Sequence, residues 1–203
     1  MARLIALVAV ACGLVGCSAS SEYEPKNGDV VFQTSTSPQS MAIQLATHSP
    51  YSHMGIVYIR DGAPFVLEAV QPVRPTPLAA WIERGEGHRF VAKRLQAADS
   101  MLSADHLRRM REVGGDLMGR DYDLYFEWSD ERIYCSELVW KVFDRGAGIG
   151  LGELQTIGDF DLSSPEVKAK LRERFGNHIP LEEAAVSPAS IFSDPKLETV
   201  YEN

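Results

Sequence analysis

Three side chains of this sequence could together carry out nucleophilic chemistry: Cys135, His53 and Glu68. A cysteine thiolate attacks a carbonyl carbon, an imidazole takes up and returns the proton, and a carboxylate holds the imidazole in the required tautomer. The combination predicts a thiol hydrolase that acts through a cysteine acyl-enzyme. Its mechanism requires the three residues to meet in the fold although they are far apart along the chain.

Cys135 is predicted to lie in the first turn of a buried helix. An apolar face with helical spacing follows it, formed by Leu138, Val139, Val142 and Phe143. Unpaired backbone N–H groups and the positive end of the helix dipole point at such a position and favour a thiolate there. The backbone N–H of Cys135 is also a natural donor to an oxyanion.

His53 and Glu68 are predicted to lie on the two strands of a hairpin, over residues 53–59 and 65–70. Glu68 interrupts an apolar run, and a carboxylate buried there needs a partner. His53 on the neighbouring strand can provide it, at a side-chain separation of about 5 Å if the two residues are directly opposed. His48, in a turn before Pro50, is expected to be exposed or structural.

Other interpretations of these residues remain open. A lone cysteine is often a small buried hydrophobe, and Glu68 could lie at a strand edge and face water. His48, His53, Glu68 and Cys135 could instead bind zinc, but the sequence contains no HExxH motif or paired-cysteine spacing. We therefore predict neither a metal nor another cofactor.

The second oxyanion donor could be a tyrosine from the aromatic segment before Cys135. Tyr125 and Tyr134 are the two candidates. For each of them the residue type favours packing against the core over a role as donor, because tyrosine is a large and mostly apolar side chain.

The composition is that of one folded domain. The chain has 203 residues, of which 45% are hydrophobic, and a formal net charge of -8 without a long basic run. These values argue for a single core and against a nucleic-acid partner. The three cysteines are Cys12, Cys17 and Cys135, and the first two lie in the N-terminal segment, which excludes a disulfide framework.

The N-terminal segment has the features of a targeting signal. Arg3 precedes a short apolar run that ends in Leu14-Val15-Gly16-Cys17, and this ending resembles the lipobox of bacterial lipoproteins. We predict a signal peptide over 1–16, lipidation of Cys17 and a tether over 17–27. The resemblance implies a membrane-anchored protein of the cell envelope, in the outer membrane and facing the periplasm if the source is Gram-negative.

The body of the chain, residues 28–203, is predicted to form one domain. Ser37-Pro38 should open a helix that runs to Thr47, and the helix that begins after Ser103 should end at Gly114-Gly115. Further helices are predicted after Ser164-Pro165 and Ser187-Pro188, and a last strand over 197–201.

Several segments resemble the circularly permuted, NlpC-type papain-like cysteine hydrolases of the YiiX group. They are Gly28-Asp29-Val30-Val31-Phe32, His48-Ser49-Pro50-Tyr51-Ser52-His53-Met54-Gly55-Ile56, Val66-Leu67-Glu68-Ala69 and Tyr134-Cys135-Ser136-Glu137-Leu138-Val139. In that family the histidine and the carboxylate precede the cysteine. The resemblance implies an α+β fold in which a small antiparallel sheet packs against the cysteine helix. It also implies Cys135 as nucleophile, His53 as base and Glu68 as the residue that orients it.

The substrate remains open at this point. The family's substrates are amides or esters, so we predict a peptide, cell-wall peptide or acyl-amide substrate. A lipid acyl hydrolase or acyltransferase is the alternative within the same chemistry. A catalytically silent binding lipoprotein of the same fold is the alternative outside it.

Overall fold

The computed structural model describes residues 22–203. Within that range the chain forms ten strands and seven α-helices, together with two short 3-10 helices. The strands are β1 (Val30–Gln33), β2 (His53–Arg60), β3 (Ala63–Glu68), β4 (Arg74–Pro77), β5 (Val91–Leu95), β6 (Asp121–Tyr122), β7 (Arg132–Ile133), β8 (Gln155–Thr156), β9 (Ala184–Ala185) and β10 (Leu197–Glu202). The helices are α1 (Ser40–Thr47), α2 (Leu78–Glu83), α3 (Ala98–Met101), α4 (Ala104–Leu117), α5 (Cys135–Ala147), α6 (Pro165–Phe175) and α7 (Pro188–Phe192).

Six strands form one antiparallel sheet in the order β10-β5-β1-β2-β3-β4. The central strand β1 is buried along its whole length, and so are the first five residues of β2. The two strands are in register so that Gln33 lies opposite His53. The β2–β3 hairpin confirms the predicted pairing of these two segments.

Helix α5 covers one face of the sheet. The apolar side chains predicted for it are fully buried, and they pack in one core with Phe32, Met54 and Ile56 of the central strands. Helix α4 packs against α5 at close range. At Gly146 an added Cβ would meet the Cα of Met110 at 2.6 Å, so glycine is needed for this approach. The predicted sheet packed against the cysteine helix is confirmed.

The opposite face of the sheet is also covered, which the sequence did not indicate. Helix α2 lies there and buries Trp81 completely, in a smaller apolar cluster with Val57, Val66 and Phe90. The sheet is therefore a middle layer between helices. Because residues on both faces are buried, β1 and β2 have nearly continuous apolar sequences.

Two helix boundaries differ from the predictions. Helix α1 begins at Ser40 rather than after Ser37. Helix α4 continues through Gly114-Gly115 to Leu117. At Gly114 a Cβ would meet Cδ2 of Leu67 at 2.6 Å, so this glycine allows the helix to approach the sheet and does not end it. The helices predicted after Ser164 and Ser187, and the last strand, are confirmed.

The predicted signal peptide (1–16) and lipidation site (Cys17) lie outside the described residues. Tyr23 belongs to the predicted tether (17–27), but its ring packs on Phe90 and Tyr201 at centroid distances of 5.6 and 5.4 Å. Its hydroxyl donates to Asp29 at 2.8 Å. Contacts with the domain thus begin before the predicted boundary at residue 28. Over residues 22–203, no helix has the length and apolarity needed to span a bilayer.

Candidate active site

His53 and Glu68 are in direct contact. Nε2 of His53 donates to Oε2 of Glu68 at 2.7 Å, and both side chains are buried. The simplest hairpin geometry would place the two residues directly opposite each other, but they are not. Strand register pairs Ile56 with Leu67, which places Gly55 opposite Glu68 and His53 diagonally across from it. At Gly55 a Cβ would come within 2.7 Å of the Leu67 carbonyl oxygen, so the absence of a side chain there lets the strands meet closely.

Glu68 is held by two further donors. The hydroxyl of Thr76 on β4 donates to Oε1 at 2.6 Å, and the guanidinium of Arg84, just after α2, donates to the same oxygen. Burial alone would raise the pKa of Glu68, but hydrogen bonds from His53 and Thr76 and the nearby positive charges outweigh it, so the pKa is lowered. Glu68 is therefore a fully buried carboxylate that stays ionised.

Cys135 is the first residue of α5 and is buried. The ring nitrogen of His53 that contacts Glu68 is Nε2, which leaves Nδ1 as the ring nitrogen available to the thiol. Burial would lower the pKa of His53. The hydrogen bonds and negative charges of Cys135 and Glu68 outweigh that effect and raise the pKa to about 9. The site thus favours the imidazolium form of His53 at neutral pH.

Two neighbouring elements hold His53 and Cys135 in place. The Trp81 ring stacks on the His53 ring with centroids 6.2 Å apart. At the start of α5, the side chain of Glu137 accepts from the backbone N–H of Tyr134 at 3.4 Å and caps the helix that carries Cys135. Packing therefore fixes the His53 ring, and the cap fixes the start of the helix that carries Cys135.

Two cavities meet at the site. A polar cleft of about 1140 Å³ contains His53 together with Gln33, Ser52 and Arg84. A narrower cavity of about 110 Å³ reaches Cys135, and its walls are mainly apolar; they include Ala42, Ile43, Phe126, Val167, Leu171 and Val186. Four residues line both cavities: Gln39, Tyr122, Lys170 and Arg174.

The candidate tyrosines occupy different positions. Tyr134 is buried, and its hydroxyl accepts from the backbone N–H of Val186 at 3.2 Å. Tyr125 lies at the rim of the polar cleft and is 41% exposed. The tyrosine between the two cavities is Tyr122, whose hydroxyl accepts from Nε2 of Gln39 at 2.8 Å. The negative charge of Cys135 helps to raise the pKa of Tyr122, although burial is the main cause.

Thr76, Arg84 and Tyr122 were not assigned to the site from the sequence. The first two reach Glu68 only through the packing of β4 and α2 against β3, which no local pattern encodes. A buried carboxylate predicts that extra donors exist, but it does not say which residues provide them. Tyr122 differs from the neighbouring tyrosines only by its place in the fold.

His48 lies apart from His53. It is exposed, adopts a left-handed backbone conformation with φ of 51°, and its Nε2 lies 3.3 Å from Oδ2 of Asp161. This agrees with the exposed or structural role predicted for it. The described part of the chain contains no group of three or more His, Cys, Asp or Glu side chains that could hold a metal ion.

The chain is similar to proteins of one family. Residues 24–201 match the model for the permuted papain-like amidase enzymes, YaeF/YiiX, C92 family. The uncharacterized protein YiiX of Escherichia coli K12 is 48% identical over 178 residues, which cover 88% of this chain and 87% of that protein.

A crystal structure described as that of the metalloprotein YiiX from Escherichia coli O157:H7 superimposes with a TM-score of 0.85. It is 47% identical, and the match covers 89% of this chain and 99% of that one. The match to the family model spans most of the chain; the chain belongs to the permuted papain-like amidase family of YaeF and YiiX.

Proposed function

We propose that this protein is a cysteine amidase in which Cys135 is the nucleophile, His53 the general base and acid, and Glu68 the residue that orients His53. The observation that carries the proposal is the buried contact between His53 and Glu68, with Cys135 in the first turn of α5 among the groups that raise the pKa of His53. The pKa of His53, raised to about 9, keeps its ring protonated at neutral pH and so supports His53 as the acid that serves the leaving group.

The reaction follows from this arrangement. The Cys135 thiolate adds to the carbonyl carbon of the amide, and the backbone N–H of Cys135 at the start of α5 is placed to donate to the oxyanion. The imidazolium of His53 gives its proton to the leaving nitrogen, the C–N bond breaks, and a thioester remains on Cys135. His53, now neutral, takes a proton from water, which attacks the thioester and releases the acid and the thiolate.

Alkylation of Cys135 tests this proposal without knowledge of the substrate. A thiolate held by an imidazolium should react with iodoacetamide at pH 6 about 100-fold faster than an ordinary thiol, which is almost fully protonated there. His53→Gln should lower the rate about 10- to 100-fold. The rate is read from the mass of the peptide that contains Cys135, so other cysteines do not contribute.

The matched control for this experiment is His106→Gln, because His106 is a partly buried histidine on α4 that lines neither cavity. It should leave the rate unchanged. A Cys135 that reacts no faster than a free thiol, or that is indifferent to His53→Gln, would remove the basis of the proposal.

A second candidate function within the same chemistry is the hydrolysis or transfer of acyl groups from N-acyl amides. The specific observation in its favour is the apolar cavity that ends at Cys135. Because His53 protonates the leaving amine, the amine side of a substrate faces the polar cleft and the acyl side faces the cavity. An apolar acyl chain fits this cavity, whereas most cell-wall peptides would place polar groups there.

Comparative turnover separates the two candidates. We expect hexanoyl amides to be cleaved with a kcat/KM about 10-fold or more above that of acetyl amides with the same amine, because burial of each added methylene contributes about 0.8 kcal/mol. The Cys135→Ala variant provides the blank. Preference for cell-wall peptides over hexanoyl amides would favour the peptidase, and no turnover of either with a reactive Cys135 would favour the silent binding protein.

A further inference from the structure

Arg174 places an unneutralised positive charge at the junction of the two cavities. It lies on α6, is half-buried and lines both the polar cleft and the apolar cavity. Its guanidinium donates to Oε1 of Gln39 at 2.5 Å. Among residues 22–203 no carboxylate lies within ion-pair distance of it, whereas the other cation of this wall, Lys170, is paired with Glu173 at 2.6 Å.

The surroundings of Arg174 do not compensate its charge. Burial lowers the pKa of Arg174, and the nearby charges of Glu173 and Asp123 only partly oppose this. Gln39 supplies one neutral oxygen. A guanidinium carries five donors in a fixed fork that matches a carboxylate. The Arg174 guanidinium is partly desolvated, has unused hydrogen-bond donors and lies at the wall of a cavity. It is therefore suited to bind an anionic group.

Arg174 also contacts Phe126, a residue with a strained backbone conformation. Phe126 has a φ of 55°, which is unfavourable for a bulky side chain. Its ring centroid lies 5.1 Å from the Arg174 guanidinium and 5.1 Å from the Tyr134 ring. Asp123 fixes this loop by accepting from the backbone N–H groups of Tyr125 and Glu127, at 2.8 and 2.6 Å. The strained loop thus supplies the aromatic face against which Arg174 rests.

We propose that Arg174 binds a carboxylate on the amine side of the scissile bond, so that the preferred substrates are N-acyl amino acids. The choice of the amine side rests on the proposed function, because it is His53, in the polar cleft, that protonates the leaving nitrogen. An α-carboxylate is one carbon away from that nitrogen and would lie at the junction where Arg174 is found. Lys170 and Gln39 complete the polar part of the wall.

Binding to an inactive protein tests this proposal independently of turnover. The two probes are hexanoylglycine and hexanoylglycinamide, which differ only in a carboxylate against a neutral carboxamide, and calorimetry measures their affinity for the Cys135→Ala protein. We expect the carboxylate probe to bind about 10- to 100-fold more tightly, the range of a hydrogen-bonded charge pair. In the same background Arg174→Gln should equalise the two affinities, and Arg174→Lys should retain part of the preference.

The control is Arg172→Gln, which removes an exposed arginine from the same helix and should leave the preference unchanged. Equal affinities in the Cys135→Ala protein, a preference that survives Arg174→Gln, or no binding of either probe would each overturn the role of Arg174. Active protein is then assayed with the same probes. Carboxylate-selective binding without hydrolysis would contradict the amidase alone, and hydrolysis without carboxylate preference would contradict Arg174 alone.

Discussion

Replacement of Glu68 by Gln is expected to lower kcat/KM for a chromogenic hexanoyl anilide by about 10⁴, the loss seen when a buried carboxylate beside a catalytic histidine becomes an amide. Glu68 holds Nε2 of His53 as a donor, so that Nδ1 is the ring nitrogen left to act on Cys135. A glutamine can instead donate its amide hydrogen to Nε2, which would put the histidine in the wrong tautomer. Glutamine and glutamate have nearly the same size, so the substitution should affect kcat rather than folding.

The pH profile should change in a defined direction. Glu68 is one of the groups that raise the pKa of His53 to about 9, because its charge favours the imidazolium. In the wild type the activity should persist to about that pH and fall above it. Without the carboxylate the pKa of His53 falls, so the alkaline limit of residual activity should move to lower pH.

Glu198→Gln is the control for this experiment, since Glu198 is an exposed glutamate on β10. It should alter neither kcat nor the pH profile. Thermal unfolding and near-UV circular dichroism would establish that the Glu68→Gln protein is folded. A folded Glu68→Gln variant that keeps more than about a tenth of the wild-type kcat/KM would contradict the role of Glu68, because that loss is far below the expected one.

Lys141→Met is expected to destabilise the fold by about 3–5 kcal/mol, the cost of removing one partner from a buried ion pair. Lys141 is almost fully buried on α5, and its ammonium donates to Glu137 at 2.6 Å, to Asp130 at 2.8 Å and to the carbonyl of Ser129. Methionine preserves the length of the side chain. Because methionine carries no charge, Glu137 would remain buried without a cation.

The destabilisation should depend on pH. Burial raises the pKa of Glu137 to about 7 even though Lys141 lies beside it. A carboxyl whose folded-state pKa exceeds its unfolded value favours folding at low pH, and this contribution is lost as the pH rises through the folded pKa. Removal of Lys141 raises that pKa further. Lys141→Met should therefore cost less stability at pH 5, where Glu137 is protonated, than at pH 8.

The double variant Lys141→Met/Glu137→Gln is the matched control. It leaves no unpaired charge, so urea unfolding should show that it recovers a substantial part of the lost stability. If the double variant is no more stable than Lys141→Met, the buried charge of Glu137 is not the cause. If Lys141→Met unfolds at the wild-type urea concentration, the ion pair contributes nothing measurable.

The sequence indicated the chemistry of the site better than its surroundings. The types of His53 and Glu68 were sufficient to predict their contact, because a carboxylate in an apolar strand needs a partner. The diagonal placement of His53 and Glu68 was not predictable, since it depends on the strand register. Thr76, Arg84 and Arg174 could not be assigned to the site, because each reaches it from another element through tertiary packing.

Glycines illustrate the same limit within the fold. A glycine pair late in a helical pattern usually marks the end of the helix, yet α4 continues through Gly114 and Gly115. The reason is the close approach of Gly114 to Leu67 on β3. A sequence pattern gives the local preference of such a residue, but only the packed structure shows which atoms a Cβ at that position would meet.

The ion-pair network on α5 has a consequence for how this family can diversify. Lys141 and Arg145 bind Asp130, so the loop that carries Phe126 is attached to the same helix that carries Cys135. One wall of the apolar cavity is therefore attached to the same helix as the nucleophile. The opposite walls, α1 and α6, have no such attachment to α5 among the described ion pairs. Substitutions on those two helices can reshape the space for an acyl chain while the reacting sulfur keeps its position.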